Sequence, residues 1–262
     1  MEDVNTEKII SYYNGRVTEA GESGHATLLD DNMRIVEVEI VKNWLSPSDK
    51  ALEIFCGNGV STLQFAESCQ SIVACDLSEK MIESAKRNLA QHNPPRTNVE
   101  FKSCNVMDIG TIFAPGQFNT VITVRGLSNL PTRDLQKQAI LQVHKLLPTK
   151  GKFLFLEGDR DGLGRINEQR AQLGLKPLNE PWYDNYFVEP ELSDFLSGYF
   201  RVVEEKKMDI YFLVSRILYP FAALPNEASF DNLCNTVARL LVPYADTQLG
   251  TSMMKCLYLE KI

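Results

Sequence analysis

Short apolar runs alternate with amphipathic segments along most of the chain after residue 49. Five of these runs have the length and composition of buried strands, and they cover residues 50–55, 71–76, 98–103, 118–124 and 152–157. The segments between them predict helices at 59–69, 79–91 and 133–147. Because strands that are apolar throughout are buried on both faces, this order predicts an α/β fold: a mostly parallel, doubly wound sheet with helices on both sides.

The regular alternation stops after residue 157. Helices are predicted there at 165–173 and 190–198, and two further strands at 200–207 and 253–260. The roughly 45 residues between these two strands are far more than a hairpin loop needs. We therefore interpret 208–250 as a helical cap over a substrate and 158–199 as a second capping insertion.

The N-terminal part of the chain has a different character. Residues 1–32 are polar and end in a glycine-rich stretch, whereas residues 33–45 have the pattern of an amphipathic helix. We interpret 1–32 as a partly ordered lid segment and 33–262 as one domain, because 262 residues are enough for a single core with appended segments.

Composition narrows the range of partners. The net charge is −7, whereas a general nucleic-acid binder needs a basic stripe. The longest apolar run, 211–224, is interrupted by Arg216 and Pro220 and is too short to span a bilayer. The N-terminal residues do not resemble a signal peptide. We expect a cytoplasmic protein without a membrane or nucleic-acid partner.

The six cysteines are scattered along the chain without a Cys-x-x-Cys pair. This distribution favours small buried side chains in a reducing compartment over disulfides. No metal-ligand spacing is visible, so no metal is expected.

Candidate chemistry concentrates where the first two predicted strands end. The first runs into Glu53 and a turn that contains Gly57 and Gly59, and the second ends at Asp76. Glycines let the turn tighten and approach a ligand, and the helix that follows offers free N–H groups to a carboxylate. An acid at the end of the second strand can accept ribose hydroxyls. Two acids flanking such a turn suit a nucleoside with a cationic amino-acid tail, namely S-adenosylmethionine.

Two other interpretations of this turn exist. A dinucleotide site would have a third glycine three residues after the second, but position 62 is Thr62. A sharp turn without any ligand is the plainer alternative. The combination of strand, acid, glycine turn, helix, strand and second acid favours S-adenosylmethionine.

The segment Leu-Glu-Ile-Phe-Cys-Gly-Asn-Gly at residues 52–59, with Asp76 downstream, resembles motif I of class I S-adenosylmethionine-dependent methyltransferases. The resemblance covers about residues 35–157, and Phe55 stands where the family usually has its first glycine. It implies a Rossmann-like sheet with an antiparallel final strand, and Asn105 in the place of an acid that meets the adenine amine. The expected cofactor-binding residues are Glu53, Phe55, Cys56, Gly57, Gly59, Asp76, Leu77, Met81, Asn105, Val106 and Thr123.

In this family the end of the fourth strand faces the transferable methyl group, and Arg125 lies there. A buried arginine needs a partner, so Arg125 either anchors an anionic substrate group or pairs with Glu157 or Asp159. His25, in the glycine-rich lid, is the histidine best placed to act as a base. Tyr183 belongs to an aromatic cluster at 182–186 that lines a pocket or packs as a loop. Arg125, His25 and Tyr183 are therefore the candidate catalytic residues.

These features together predict an enzyme that methylates an oxygen or nitrogen of a small polar molecule, which can be anionic. The acidic surface and the two insertions argue for a small acceptor. The alternatives are an RNA or protein methyltransferase and a protein that binds S-adenosylmethionine without catalysis. We expect a monomer or homodimer.

Overall fold

The computed structural model describes residues 2–223, 229–244 and 248–262. Its seven strands are β1 Lys50–Ile54, β2 Ser71–Asp76, β3 Val99–Ser103, β4 Thr120–Val124, β5 Lys152–Gly158, β6 Phe200–Lys206 and β7 Met254–Lys261. They form one sheet of order β3-β2-β1-β4-β5-β7-β6, in which β7 runs in the direction opposite to the other six strands. The predicted mostly parallel sheet with an antiparallel final strand is confirmed.

The helices in chain order are α1 Glu2–Ala20, α2 Asp31–Trp44, α3 Val60–Phe65, α4 Glu79–Gln91, α5 Ile109–Ile112, α6 Arg133–Leu146, α7 Arg160–Gln172, α8 Glu191–Ser197, α9 Asp209–Phe212, α10 Tyr219–Ala222 and α11 Leu233–Leu241. A π-helical segment, Leu213–Leu218, joins α9 to α10. Five of these helices begin where a polar side chain accepts a backbone N–H: Asp30 caps α2, Ser78 caps α4, Thr132 caps α6, Asp159 caps α7 and Asn232 caps α11.

The sheet is buried on both faces at its centre. In β5, Phe153 and Phe155 pack with α6 and α8 on one face, while Leu154 and Leu156 pack with α2 and α9 on the other. The edge strands β3 and β6 are largely exposed. This gradient explains why the central strands are continuous apolar runs, because the side chains on both faces of these strands are buried.

The N-terminal segment differs from the predicted partly ordered lid. Residues Glu2–Ala20 form a regular helix whose apolar pattern is weak. Val17 and Tyr13 nevertheless pack against Met81 and Ala26, and Asn14 Oδ1 accepts a hydrogen bond of 2.7 Å from Ser78 Oγ. Tertiary contacts with α4 therefore hold a helix that its own sequence specifies poorly.

Helix α7 begins five residues before its predicted start at residue 165. Asp159 caps it by accepting the N–H of Asp161 at 3.0 Å, and Gly162 and Gly164 lie within its first turns. Gly162 is required there, because a Cβ at that position would lie 1.9 Å from the carbonyl oxygen of Ser252.

The predicted helical cap at 208–250 is helical over most of its described part, but it is not a separate layer above the sheet. Tyr211, Phe212 and Ile217 are buried in the same core as α2, and α11 contacts α2 and α9. Residues 224–228 and 245–247 of this segment lie outside the described residues. In the part of the chain that the structure describes, no helix is both long and apolar enough to cross a membrane.

Candidate active site

A cavity opens at the carboxyl ends of β1, β2 and β4, and α1 covers it. We call it the first cavity. From the sheet side it is lined by Glu53, Phe55, Cys56, Gly57, Asp76, Leu77, Met81 and Arg125, and from α1 by Thr6, Ile9, Ile10 and Tyr13. Because parallel strands end at one edge of the sheet, residues that are far apart in sequence meet there.

Glu53 is buried at the end of β1. Its Oε2 accepts a hydrogen bond of 2.6 Å from Thr62 Oγ1 in α3, and no cation lies within ion-pair distance among the described residues. Burial raises the pKa of Glu53 to about 7; the Thr62 bond opposes the rise and Asp76 adds to it. The first cavity therefore contains a carboxyl group that lacks a positive partner.

Asp76 ends β2 and is held by the backbone. Its two carboxylate oxygens accept the N–H groups of Gly57 and Ser78, each at 2.9 Å. Burial raises its pKa, and these backbone bonds oppose the rise. A carboxylate can accept about four hydrogen bonds, so acceptor capacity remains on the side that faces the first cavity.

The glycine turn has the expected backbone conformation, but side chains of the protein occupy the space beside its two glycines. Gly57 and Gly59 have φ angles of 55° and 74°. A Cβ at Gly59 would lie 2.5 Å from Phe101 Cζ, and one at Gly57 would lie 2.6 Å from Thr27 Cγ2. The room left by the missing side chains is thus taken by Phe101 and Thr27, whereas the sequence suggested that it would admit a ligand.

Phe55 adopts a backbone conformation that is usual for glycine. Its φ is 60°, in the left-handed region that a bulky residue rarely occupies. The ring packs over Gly126, where a Cβ would come within 2.3 Å of the Phe55 side chain. The departure from the family pattern at this position therefore keeps the turn and adds a contact with the loop after β4.

The remaining predicted cofactor residues divide into three groups. Cys56, Leu77 and Met81 line the first cavity. Asn105 and Val106 line a neighbouring cavity that shares Phe55, Asp76 and Leu77 with the first, although Asn105 Oδ1 also accepts the N–H of Met107 at 3.0 Å and so caps a turn. Thr123 is fully buried below the cavity floor and donates to Glu157 Oε1 at 2.7 Å.

Arg125 has a partner that the sequence did not suggest. Its Nε donates to Glu37 Oε1 of α2 at 2.9 Å, so the predicted pairing with Glu157 or Asp159 is wrong. Burial raises the pKa of Glu37, and Arg125 and Arg34 oppose that rise. Glu157 instead accepts the N–H groups of the loop after β4, and Asp159 meets Arg165 at 3.3 Å.

A second cavity lies on the other side of Arg125 and shares Tyr13, Thr27 and Arg125 with the first. Its walls include Tyr12, Tyr183, Asp184, Tyr186, Phe212, Arg216 and Phe230. Tyr183 stacks on Tyr12 with ring centres 4.7 Å apart. The 182–186 cluster thus lines a pocket, and the segment after β6 reaches it through Phe212 and Arg216.

His25 lines neither cavity. It lies half-exposed in a short turn after α1, and its Nε2 is 2.9 Å from Asp31 Oδ2.

Sequence reasoning also missed Glu37 as a site residue. The available signal was an acid three residues after Arg34 within the buried stripe of an amphipathic helix.

Residues 51–151 match a family model described as a methyltransferase domain. This segment runs from β1 to the start of β5 and includes Glu53, the glycine turn and Asp76. The match supports the resemblance of residues 52–59 and Asp76 to motif I of class I methyltransferases. Over 113 residues the chain is 30% identical to an uncharacterized methyltransferase of Synechocystis sp., a match that covers 43% of the chain. The aligned part is about half, 49%, of that relative's length.

Solved structures of low sequence identity share the fold. Magnesium protoporphyrin IX methyltransferase from Synechocystis, with bound S-adenosylhomocysteine, is 15% identical with a TM-score of 0.62, over 98% of this chain and 100% of that one. Phosphoethanolamine N-methyltransferase 1 of Haemonchus contortus is 10% identical with a TM-score of 0.66, over 100% of this chain and 50% of that one. At these identities the similarity concerns the fold.

Proposed function

We propose that this methyltransferase transfers a methyl group from S-adenosylmethionine to an oxygen or nitrogen of a small polar molecule. The junction of the two cavities at Tyr13, Thr27 and Arg125 carries the proposal. It joins a site suited to the cofactor to a second cavity that contains the polar side chains of Asp184 and Arg216. S-adenosylmethionine, when bound, supplies a methyl group on a positively charged sulfur that is ready for displacement.

The residues of the first cavity fit this cofactor. Glu53 is a buried carboxyl group that accepts one hydrogen bond from a neutral donor. An ammonium group bound beside it would balance its negative charge. Asp76 retains acceptor capacity for the two ribose hydroxyls. Phe55 and Met81 offer apolar surface beside them, and Asn105 borders the neighbouring cavity in which the base would lie.

The chain's own contribution to the transfer is placement and exclusion of water. Ile9 and Ile10 of α1 cover the first cavity, and the loop after β4 separates it from the second. An acceptor held in the second cavity would approach the methyl group from one direction only. Fixed approach and a dry site can supply much of the acceleration of such a displacement.

The acceptor is small and polar because of the shape and lining of the second cavity. Its volume is about 260 Å³, and it presents Asp184, Arg216 and several tyrosines. Arg125 is already paired with Glu37, so an anionic acceptor would bind a guanidinium that is partly used. The cytoplasmic location and the monomeric or homodimeric state stay predictions.

Substitution of Asp76 tests the cofactor assignment. Asp76→Ala removes two charge-assisted hydrogen bonds to ribose, each worth about 1.5–3 kcal/mol. Calorimetry should therefore show at least a tenfold loss of affinity for S-adenosylhomocysteine. Asp134→Ala, an exposed site in α6, is the matched control. Unchanged affinity in a folded Asp76→Ala protein would contradict the assignment.

Labelled S-adenosylmethionine distinguishes the alternatives. Transfer of label to a small-molecule extract supports the proposal, whereas label in RNA or protein fractions supports the macromolecular alternative. Binding of the cofactor without any transfer supports a non-catalytic protein.

A further inference from the structure

Asp184 is the acidic group of the second cavity that has no cation beside it in the described part of the chain. Its Oδ1 accepts one hydrogen bond of 2.6 Å, from Asn129 Nδ2. Three arginines line the same cavity: Arg125 pairs with Glu37, Arg216 pairs with Asp30 at 2.7 Å, and Arg16 donates to the backbone carbonyl of His25. The cavity thus presents a carboxyl group whose charge is not balanced by an ion pair.

Aromatic rings surround this carboxyl group. Tyr12, Tyr13, Tyr183 and Tyr186 line the same cavity. The ring of Tyr13 meets Tyr12 edge-on at 5.2 Å and Tyr183 edge-on at 5.7 Å. Faces of tyrosine rings attract cations, most strongly where water is excluded. Rings and carboxyl group together favour a positively charged ligand.

Asp184 also lies next to the junction of the two cavities. Its partner Asn129 lines the first cavity, and Asn129 also interacts with Tyr13, which lines both. A group bound to Asp184 is therefore separated from the cofactor cavity by one layer of side chains. A nucleophile held there is near the point where the methyl group would enter.

We propose that the acceptor is a small primary or secondary amine, whose ammonium group binds Asp184 and the tyrosine faces and whose nitrogen is methylated. This inference rests on the proposed function and narrows its acceptor. Ionised Asp184 takes a proton from the ammonium group, which frees the nitrogen lone pair. That pair forms the N–C bond while the S–C bond breaks and its electrons stay on sulfur. The products are a methylated ammonium ion and a neutral thioether, and Asp184 returns its proton to water.

The titration of Asp184 suits this role. Burial raises its pKa to about 7; Arg125 and the Asn129 bond oppose the rise, and Glu157 and Glu180 add to it. Tyr13, Tyr183 and Tyr186 face the same carboxyl group and have raised pKa values, so they stay neutral. A carboxyl group that titrates near neutrality can accept a proton and release it in each turnover.

Three ligands with one aromatic skeleton test the charge preference. With S-adenosylhomocysteine bound, calorimetry should show that phenethylamine binds at least tenfold more tightly than phenethyl alcohol or hydrocinnamate. Asp184→Asn should remove this preference while affinity for S-adenosylhomocysteine stays within twofold. The proposal would be overturned if the three ligands bound equally well or if none bound detectably. It would also be overturned if hydrocinnamate bound most tightly.

The reaction gives a second readout. With labelled S-adenosylmethionine and the small-molecule fraction of a cell extract, the labelled product should be retained by a cation exchanger. The rate of labelling should rise with pH through about 7, and Asp184→Asn should reduce it at least a hundredfold and remove that rise. Asp134→Asn should leave both unchanged. A neutral or anionic product, or no product, would overturn the amine acceptor, whereas failure to bind S-adenosylhomocysteine would overturn the proposed function itself.

Discussion

The first and second cavities share three residues but are built from different parts of the chain. The first is made by strand ends and tight turns, where backbone N–H groups hold Asp76 and the hydroxyl of Thr62 holds Glu53. The second is made by α1, the 181–186 loop and the segment after β6, and six tyrosine and phenylalanine side chains contribute to its wall. We infer that changes in the first cavity act through the fold, whereas changes in the second act on the acceptor.

The largest effect is expected where the two cavities meet. Arg125→Met leaves Glu37 buried without its main partner, which typically costs about 3–5 kcal/mol. Thermal and urea unfolding should show this loss. The double variant Arg125→Met with Glu37→Gln should recover most of it, because no charge then stays buried. If Arg125→Met alone were as stable as the wild type, the Arg125–Glu37 pair would not stabilise the junction of the two cavities.

A smaller loss of stability is expected from the glycine turn. At Gly59 a Cβ would lie 2.5 Å from Phe101 and the φ angle is positive, so Gly59→Ala should lower the free energy of unfolding by about 2–3 kcal/mol. Gly164→Ala is the matched control, since nothing lies within 4 Å of its added methyl group. That variant should gain about 0.5–1 kcal/mol within α7. Equal changes in both would contradict the packing argument.

Cofactor affinity should depend on pH through Glu53. Its pKa in the free protein is about 7, and an ammonium group binds the ionised form. Below that pH, binding must first remove a proton, so affinity for S-adenosylhomocysteine should rise about tenfold per pH unit and level off above 7. Calorimetry over roughly pH 5.5–8 measures this pH dependence of the affinity. Glu53→Gln should abolish the slope, and a slope that persists would assign it to another group.

The smallest effect is expected at the tyrosine stack. Tyr183→Ala removes a stacked pair worth about 0.5–1.5 kcal/mol, so KM for the acceptor should rise severalfold. Affinity for S-adenosylhomocysteine should stay within twofold, because Tyr183 does not line the first cavity. A loss of cofactor affinity as large as the loss for the acceptor would remove the distinction between the cavities.

The sequence predicts the first cavity better than the second for a physical reason. Strand, glycine turn and following helix lie within 51–65, and the second acid follows one strand later, so local patterns identify them. Confirmed strands and helices of the sheet agree with these patterns to within a few residues, apart from the short α3. Local periodicity suffices there, because burial on both faces leaves a continuous apolar run.

The second cavity depends on contacts between distant segments. Arg125 and Glu37 are 88 residues apart, and Asn129 and Asp184 are 55 apart, so no local pattern connects them. The early start of α7 follows from its fit against Ser252, and the helical form of α1 follows from contacts with α4. These outcomes are decided by packing, which a single sequence does not display.

Glu157 has a consequence for how such an enzyme can diversify. Its carboxylate, buried in β5, accepts hydrogen bonds from the N–H groups of Gly126, Leu127 and Ser128, and from the hydroxyls of Thr123 and Ser128. One side chain in the sheet thereby holds most of the loop that separates the donor and acceptor compartments, and the 158–199 insertion adds contacts at Asn129 and Ser128. Loops that select the acceptor can drift or be exchanged during evolution while the partition keeps its shape, so a new substrate preference can arise without rebuilding the donor compartment.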